Sequence, residues 1–197
     1  MKIVTIISLY VEKRRSSMPY TKNFGFRHKA GVIMPVSSLP SRYGIGSLGK
    51  SAHDFVDFLD ATGQTCWQVL PLNPTSYGDS PYQSPASQAG NPYFIDLDLL
   101  ARKKLLTKAE LAAQKNSSKR VDYGWLFTSR YPVLRQAYSR FVPDRDYRAF
   151  KKENAGWLED YALFMALKVH YGFCQWTQWQ PQHRDHTQAK LLAGEFE

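Results

Sequence analysis

The stretch from Trp67 to Leu97 contains the side chains that are best suited to ligand chemistry. It is rich in flat aromatic rings and in short polar groups: Tyr77, Tyr82 and Tyr93, with Asn73, Asp79, Ser80, Gln83, Gln88 and Asn91. A ligand with an apolar face and a hydroxyl-rich edge, such as a sugar ring, matches this mixture. Tyrosines that simply pack an ordinary surface loop onto its scaffold explain the same composition, so both interpretations stay open.

Carboxyl groups are the other candidates for chemistry in this stretch. Cleavage of a glycosidic bond with retention requires a nucleophilic carboxylate and a carboxylic acid about 5 Å apart. Asp96 and Asp98 follow a strand-like run into a helix, a position that favours capping. Asp79 precedes Ser-Pro and is either a turn former or a functional residue. A single carboxylate cannot perform a double displacement.

The elements that position this stretch form a strand–loop–helix–strand unit. Apolar runs at 30–34 and 66–70 predict buried strands, and the helix predicted over 49–62 has one apolar stripe, made of Ala52, Phe55, Val56 and Leu59. Gly63 is a natural helix terminator. The spacing favours a parallel, right-handed crossover. The polar loop therefore leaves the C-terminal end of the second strand, where α/β enzymes bind ligands, and a strand-like run returns at 93–95.

Helical patterns dominate after Leu97. Predicted helices cover 98–106, 107–114, 125–141, 144–152, 157–171 and an unfinished segment at 187–196. Thr107 and Glu110 form a capping-box pattern, and the helix at 125–141 contains Pro132. The helix at 157–171 is apolar almost all round, which predicts deep burial.

Five stretches of the chain resemble one enzyme family. They are AGVIMPVSSLPSRYGIGSLG (30–49), FVDFLDATGQTCWQVLPL (55–72), PLNPTSYGDSPYQSPASQAGNPYFIDL (71–97), KRVDYGWLF (119–127) and WLEDYALFMALK (157–168). In order and spacing, from about 26 to about 179, they resemble the amylomaltases, which are 4-alpha-glucanotransferases (disproportionating enzymes). Motifs this long and idiosyncratic make a chance match very improbable.

The resemblance implies an α/β fold: the N-terminal fragment of a (β/α)₈ TIM barrel, containing its first two strands, with a mostly helical insertion after strand 2. A complete barrel takes about 250 residues, more than the 197 present. We therefore expect the N-terminal part of a larger enzyme. The predicted divisions are an extension at 1–25, the first part of the barrel with its substrate-binding loop at 26–97, and a helical insertion subdomain at 98–197, truncated at its end.

The resemblance also implies an activity. Its members transfer α-1,4-glucan segments between maltodextrins by a retaining double displacement, without a cofactor. The family's nucleophilic Asp, acid/base Glu and stabilising Asp correspond to positions beyond residue 197, so this chain is expected to be inactive alone. The expected partners are α-1,4-glucans and maltooligosaccharides. A non-catalytic maltodextrin-binding module is the alternative.

Substrate-binding residues carry over from the family's GDSPYQS motif. Tyr82 resembles the ring that stacks on the sugar at the cleavage point, with Asp79, Ser80 and Gln83 orienting or supporting it. Contacts to more distant glucose units are expected from Tyr77 and Tyr123, for which simple packing is an equal alternative. Asn91 belongs to the same predicted binding set.

Charge and hydropathy argue against other partners. The net charge is +9, but the basic clusters are short and scattered, and residues 66–98 contain three acids and no Lys or Arg. We therefore predict no nucleic-acid binding. The apolar run at 3–11 is too short to span a membrane and does not resemble a signal peptide. No metal site is predicted, because the histidines lack ligand spacing.

Cysteine usage gives the predicted location. Cys66 and Cys174 are far apart in sequence, and we expect two buried free thiols. Free thiols fit a reducing compartment, which predicts a cytoplasmic protein.

Overall fold

The computed structural model describes the backbone of residues 30–196. The predicted extension at 1–25 lies outside the described residues. The strands are β1 (Gly31–Ile33) and β2 (Cys66–Gln68). The α-helices of the described part, in chain order, are α1 (Lys50–Ala61), α2 (Leu97–Arg102), α3 (Lys108–Ala113), α4 (Tyr123–Ser139), α5 (Arg145–Glu153), α6 (Ala155–His170), α7 (Pro181–Arg184) and α8 (His186–Leu191). Single 3₁₀ turns occur at Val36–Ser38, Pro92–Phe94, Trp176–Gln178 and Ala193–Phe196.

β1 and β2 form the two-stranded parallel sheet that the sequence predicts. Val32 lies opposite Trp67 in the register, and the Trp67 Nε1 atom donates to the Met34 carbonyl at 2.8 Å. α1 covers one face of the sheet, where the rings of Phe55 and Trp67 meet edge to face at 5.0 Å. A Cβ atom on Gly31 would lie 2.5 Å from the Cys66 carbonyl oxygen, so this close approach of the strands requires glycine. The α/β class is confirmed.

The opposite face of the sheet is exposed, and two predictions of buried residues are wrong, one on that face and one on α1. Cys66 lies on that face and is exposed, so the expectation of a buried thiol is wrong; Cys174 is only half-buried. Val56 of the predicted apolar stripe on α1 is 42% exposed, although Ala52 and Leu59 are buried as predicted. Both residues are apolar at positions that no other described element covers.

The strand-like run at 93–95 is a 3₁₀ turn over Pro92–Phe94, so the strand prediction is wrong. Pro92 has no N–H for a strand ladder, and the Asn91 side chain accepts a hydrogen bond from the Tyr93 N–H at 2.9 Å. The segment is nevertheless buried, because Tyr93 and Phe94 pack into the core beneath the sheet and α4.

The helical remainder follows its local signals closely. Thr107 and Glu110 form the predicted capping box at the start of α3, and α4 runs through Pro132. A second core cluster, centred on Leu97, Leu100 and Leu134, joins α2 to α4. α6 buries Leu158 and Tyr161 on one side and Leu163 and Leu167 on roughly the opposite side, and every other residue of 160–168 is half-buried. The predicted burial around the helix is therefore present over 160–168, whereas both ends of α6 are exposed. None of the helices in the described part is long and apolar enough to cross a membrane.

Candidate functional site

The polar loop after β2 is closed at its base by backbone and amide hydrogen bonds. The Asn91 N–H donates to the Leu72 carbonyl at 2.8 Å, which joins the two ends of the loop. The side-chain amide of Asn73 then donates to the carbonyls of Ala86 at 3.2 Å and Ala89 at 3.3 Å, and also to that of Ser87. One amide therefore holds the returning half of the loop against the outgoing half.

The tip of the loop is a tight turn. The Ser76 N–H donates to the Gln83 carbonyl at 3.2 Å, and the Asp79 N–H donates to the Ser76 carbonyl at 3.0 Å. Gly78 and Asp79 both adopt left-handed backbone conformations, with φ of 88° and 56°. Such φ values favour glycine and are tolerated by Asp among other residues. Asp79 therefore occupies the turn position that the sequence predicts for it.

The two loop tyrosines project into solvent. Tyr77 is 98% exposed and Tyr82 is 74% exposed. Gln83 is also exposed, while Ser80 is half-buried and its hydroxyl accepts the Tyr82 N–H at 3.3 Å. Large exposed rings on a hydrogen-bonded loop are available to stack on a flat ligand.

The other predicted site residues lie beneath the loop. Asn91 is buried and its side-chain oxygen is occupied by the Tyr93 N–H, so its position is that of a loop support. Tyr123 begins α4 and lies half-buried beside Tyr93, with ring centroids 6.2 Å apart. Tyr131, just over two turns further along α4, meets Tyr93 edge to face at 5.9 Å. These three tyrosines form an aromatic floor for the loop.

The charge of the Asp79 carboxylate acts on two tyrosines of this aromatic floor. Partial burial raises the pKa of Asp79 above its ordinary value. Burial, followed by the charge of Asp79, raises the pKa of Tyr123. The pKa of Tyr93 is raised by burial, then by its neighbours Tyr131 and Asp79. The carboxylate thus lies close enough to two phenols to disfavour their ionisation.

A buried arginine supports the floor from the core side, and the sequence patterns did not single it out. Arg130 on α4 is 1% exposed. Its guanidinium donates to the Tyr43 carbonyl at 2.7 Å and to the Tyr93 carbonyl at 3.4 Å. Burial lowers the pKa of Arg130 to about 10. Its Nε has no hydrogen-bond partner among the described residues. The two carbonyls therefore provide the hydrogen bonds that offset the free-energy cost of burying this charge.

The remaining acids of the stretch are occupied by structural contacts. Asp96 caps α2 through the Leu99 N–H at 2.8 Å and also accepts from the Ser47 hydroxyl at 2.8 Å, as the capping prediction requires. Asp98 does not cap the helix, so that prediction is wrong. It accepts from the Tyr43 hydroxyl at 2.6 Å and from Arg42 at 2.9 Å. Within the described residues, no carboxylate is paired with Asp79 for acid–base chemistry across a sugar.

Two cavities flank the base of the loop. The larger, of about 630 Å³, is lined by residues 69–73 and 87–91 together with Leu48, Phe94, Phe150 and Trp157. The smaller, of about 80 Å³, is lined by Pro81 and Tyr123 among other residues. Tyr77 and Tyr82 line neither cavity, so the exposed rings present an open surface. No group of three His, Cys, Asp or Glu side chains within residues 30–196 could hold a metal ion.

Comparisons with known proteins identify similar sequences and structures. A family model described as 4-alpha-glucanotransferase matches residues 34–195. The 4-alpha-glucanotransferase of Clostridium butyricum is 48% identical over 150 residues, which are 74% of this chain and 31% of that protein. The Thermus thermophilus enzyme of the same name is 45% identical over 155 residues, covering 76% and 30% of the two chains.

A solved structure agrees with the sequence matches. The structure of an amylomaltase from Streptococcus agalactiae in complex with acarbose superposes with a TM-score of 0.78 at 36% identity, and the match covers 86% of this chain and 36% of that one. The matches fall in the N-terminal portion of the relatives. The chain spans about a third of the length of the relatives that it matches.

Proposed function

Because this chain belongs to the 4-alpha-glucanotransferase family, we propose that its loop at 71–91 forms part of the binding surface for an α-1,4-glucan. The exposure of Tyr77 and Tyr82 on a loop closed by Asn73 and Asn91 is the observation that carries the proposal. Because the loop backbone is already ordered by hydrogen bonds, stacking of a sugar on these rings costs mainly the rotational freedom of their side chains. The acarbose complex of the Streptococcus agalactiae amylomaltase supports a glucan-like ligand.

Within this surface the residues have different proposed roles. Tyr82 stacks on the sugar nearest the cleaved bond, with Ser80, Gln83 and Asp79 holding the turn that presents it. Tyr77 contacts a more distant glucose unit. Tyr123 is partly covered by Tyr93, so its proposed contact is made by the edge of the ring, and Asn91 acts by closing the loop.

The proposed reaction is the transfer of α-1,4-glucan segments between maltodextrins by a retaining double displacement. An Asp would hold the glucosyl chain covalently, and an acid/base Glu would protonate the leaving oxygen and then activate the acceptor hydroxyl. The carboxyl groups for these steps are proposed to belong to the part of the family's sequence that this chain does not match. No cofactor is needed for this chemistry.

It follows that the chain alone should not catalyse transfer. Binding residues such as Tyr82 position a sugar but provide no reacting group. Pure chain incubated with maltotriose should yield neither glucose nor longer maltodextrins above a buffer control. Steady product formation that Asp79→Asn abolishes would contradict this and make Asp79 a catalytic residue.

Calorimetric titration with maltoheptaose tests the binding surface itself. Tyr82→Ala should weaken binding about 2- to 10-fold, because one aromatic stacking contact contributes about 0.5–1.5 kcal/mol. Tyr82→Phe retains the ring and should keep most of the affinity. Val142, an exposed apolar residue between α4 and α5, provides the control variant Val142→Ala. Equal affinity for Tyr82→Ala and the parent chain would refute the proposed role of Tyr82.

A non-catalytic maltodextrin-binding module is the second candidate. The observation in its favour is the coexistence of exposed loop tyrosines with structurally occupied Asp96 and Asp98. Saturable binding by a monomeric sample without turnover would favour the module, and absence of binding would favour a piece that requires the rest of the site. A cytoplasmic location stays a prediction, and the exposure of Cys66 removes part of its basis.

A further inference from the structure

A further cavity lies in the helical part of the chain. It has a volume of about 250 Å³ and is bordered by α6, by the turn at Trp176–Gln178 and by α7 and α8. Its lining shares no residue with the two cavities at the base of the polar loop. The proposed roles of Tyr77 and Tyr82 do not involve it, so any ligand bound here occupies a separate site.

Aromatic side chains form the apolar wall of this cavity. Trp176 lines the cavity and is 54% exposed, so its ring is open to solvent. Trp179 is buried, and its ring is stacked on that of Tyr171, with centroids 5.6 Å apart and an interplanar angle of 13°. Phe164 packs against the same Trp179 ring at 5.6 Å. The wall is therefore fixed by packing at Trp179 and accessible at Trp176, an arrangement that suits a ring stacking on Trp176.

The indole N–H of Trp179 is a donor that the described residues leave without an acceptor. Trp179 is 5% exposed, and its Nε1 atom has no hydrogen-bond partner in the described part of the chain. By contrast, Trp67 donates to the Met34 carbonyl at 2.8 Å, and Trp157 donates to the Asn154 side chain at 2.9 Å. A buried donor without a partner is costly, and an oxygen atom of a ligand in the cavity would satisfy it.

Charged groups of both signs border the cavity. Asp160 on α6 forms ion pairs through one carboxylate oxygen, with the His186 Nε2 atom at 3.1 Å and the Lys190 Nζ atom at 2.7 Å. These pairs hold α8 on α6. The Asp160 side chain is still 43% exposed, so its second oxygen is accessible to a ligand hydroxyl. Arg184 on α7 is exposed and provides guanidinium donors.

This combination of groups favours a neutral, hydroxyl-rich ring. An anionic ligand would meet Asp160 and a cationic ligand would meet Arg184, whereas hydroxyl groups can donate to the carboxylate and accept from the guanidinium. A purely apolar ring would leave the Trp179 N–H without an acceptor. The volume of about 250 Å³ lies just below the ~300–1,000 Å³ of drug-sized sites, which limits the occupant to about one or two rings.

We propose that this cavity is an accessory binding site for one or two glucose units of an α-glucan. One glucose ring stacks on Trp176, a hydroxyl oxygen accepts from the Trp179 N–H, and other hydroxyls bind Asp160 and Arg184. A long glucan bound here has a higher effective concentration at the loop of the same molecule. The choice of glucan rests on the proposed function, whereas the cavity and its groups are independent of the loop.

NMR spectra of the full chain test this site, because each of its five tryptophans contributes one indole N–H signal. Trp176→Phe and Trp179→Phe assign the two signals of interest. Titration with maltotriose should shift both signals saturably, and that of Trp179 should move downfield because its N–H gains an acceptor. The same shifts should occur in Tyr82→Ala, because the loop is a separate site.

Matched variants measure the contribution of the exposed ring. Trp176→Ala should weaken the maltotriose affinity read at the Trp179 signal about 2- to 10-fold, the range that one aromatic stacking contact provides. Trp176→Phe keeps a ring and should retain most of the affinity. Leu191→Ala is the control, because Leu191 is an 83% exposed apolar residue of α8 that does not line the cavity.

Three outcomes would overturn the proposal: Trp176 and Trp179 signals that stay unshifted throughout the titration, shifts that Tyr82→Ala abolishes, and equal affinity for Trp176→Ala and the parent chain. The proposed function fails or stands separately. A chain that binds maltoheptaose through Tyr82 without shifting these two signals refutes only the accessory site. Saturable shifts of both signals in a chain whose maltoheptaose affinity does not depend on Tyr82 refute only the role of the loop.

Discussion

Asn73 offers the sharpest test of how the candidate binding loop is held. Replacement by Ala removes an amide that donates to the carbonyls of Ala86, Ser87 and Ala89. An amide nitrogen has only two protons, so the three contacts count as about two hydrogen bonds, each contributing about 1 kcal/mol net. The Ala86 carbonyl keeps the Ser84 hydroxyl at 2.9 Å, and water can reach Ser87. The expected loss for Asn73→Ala is therefore about 1–2 kcal/mol.

Chymotrypsin reports this loosening directly, because Tyr77 and Tyr82 are its cleavage sites within the loop. If cleavage requires local opening, a loss of 1–2 kcal/mol should accelerate it about 5- to 30-fold. Global thermal unfolding should shift by only about 2–8 °C. Gln136→Ala on the exposed surface of α4 is the control and should change neither quantity.

Asn73→Asp separates the hydrogen-bond explanation from simple loss of packing. The aspartate has the same shape but places an oxygen where the amide donated to three carbonyls. It should therefore open the loop more than Asn73→Ala at neutral pH, and recover as protonation restores a donor at acid pH. Equal cleavage rates for the parent chain, Asn73→Ala and Asn73→Asp would refute the assignment of Asn73 as the loop's fastener.

Further predictions concern three charged groups. Asp79→Asn should raise the free energy of unfolding at neutral pH by less than about 1 kcal/mol, because a raised pKa in the folded state means that the parent chain loses stability as pH rises above about 4; equal pH profiles in denaturant melts would contradict this. Hydrogen bonds from Arg140 and Thr107 lower the pKa of Glu110 to about 2, so Glu110→Gln should abolish a loss of stability as pH falls from 4.5 towards 2. Arg130→Ala should lower the free energy of unfolding by about 3 kcal/mol or more, because it leaves two buried carbonyls without donors and opens a cavity; a loss below about 1 kcal/mol in urea titration would show that Arg130 is not a support of the floor.

Local signals predicted most of the backbone because they act over a few residues. The β–α–β unit followed from two apolar runs, one amphipathic helix and Gly63. As expected of a glycine that terminates a helix, Gly63 is left-handed, with φ of 70°. The capping box of α3 was equally visible, because both partners are three residues apart. Pro92 is also a local signal, since a residue without an N–H disfavours a strand at 93–95. The strand prediction gave more weight to the apolar run and was wrong.

Long-range contacts explain what the sequence did not reveal. Exposed Cys66 and Val56 have sequence patterns typical of covered positions, because a pattern reports which face is apolar and not what covers it. The local sequence predicted a capping role for Asp98, but its carboxylate accepts a hydrogen bond from Tyr43, which lies 55 residues earlier in the chain. Arg130 reaches carbonyls 37 and 87 residues away. The loop tyrosines could be predicted from the sequence. The aromatic floor could not, because Tyr93 and the tyrosines of α4 meet only in the folded chain.

The most direct measurement of glucan binding by this loop is a crystal structure, with bound acarbose, of a chimera in which this chain replaces the matched third of the Clostridium butyricum protein. We predict a sugar ring packed face to face on Tyr82, with the loop closed by Asn73 and with Tyr77 pointing towards the more distant sugars. Acarbose bound elsewhere, with the Tyr82 ring still in solvent, would contradict the proposed function.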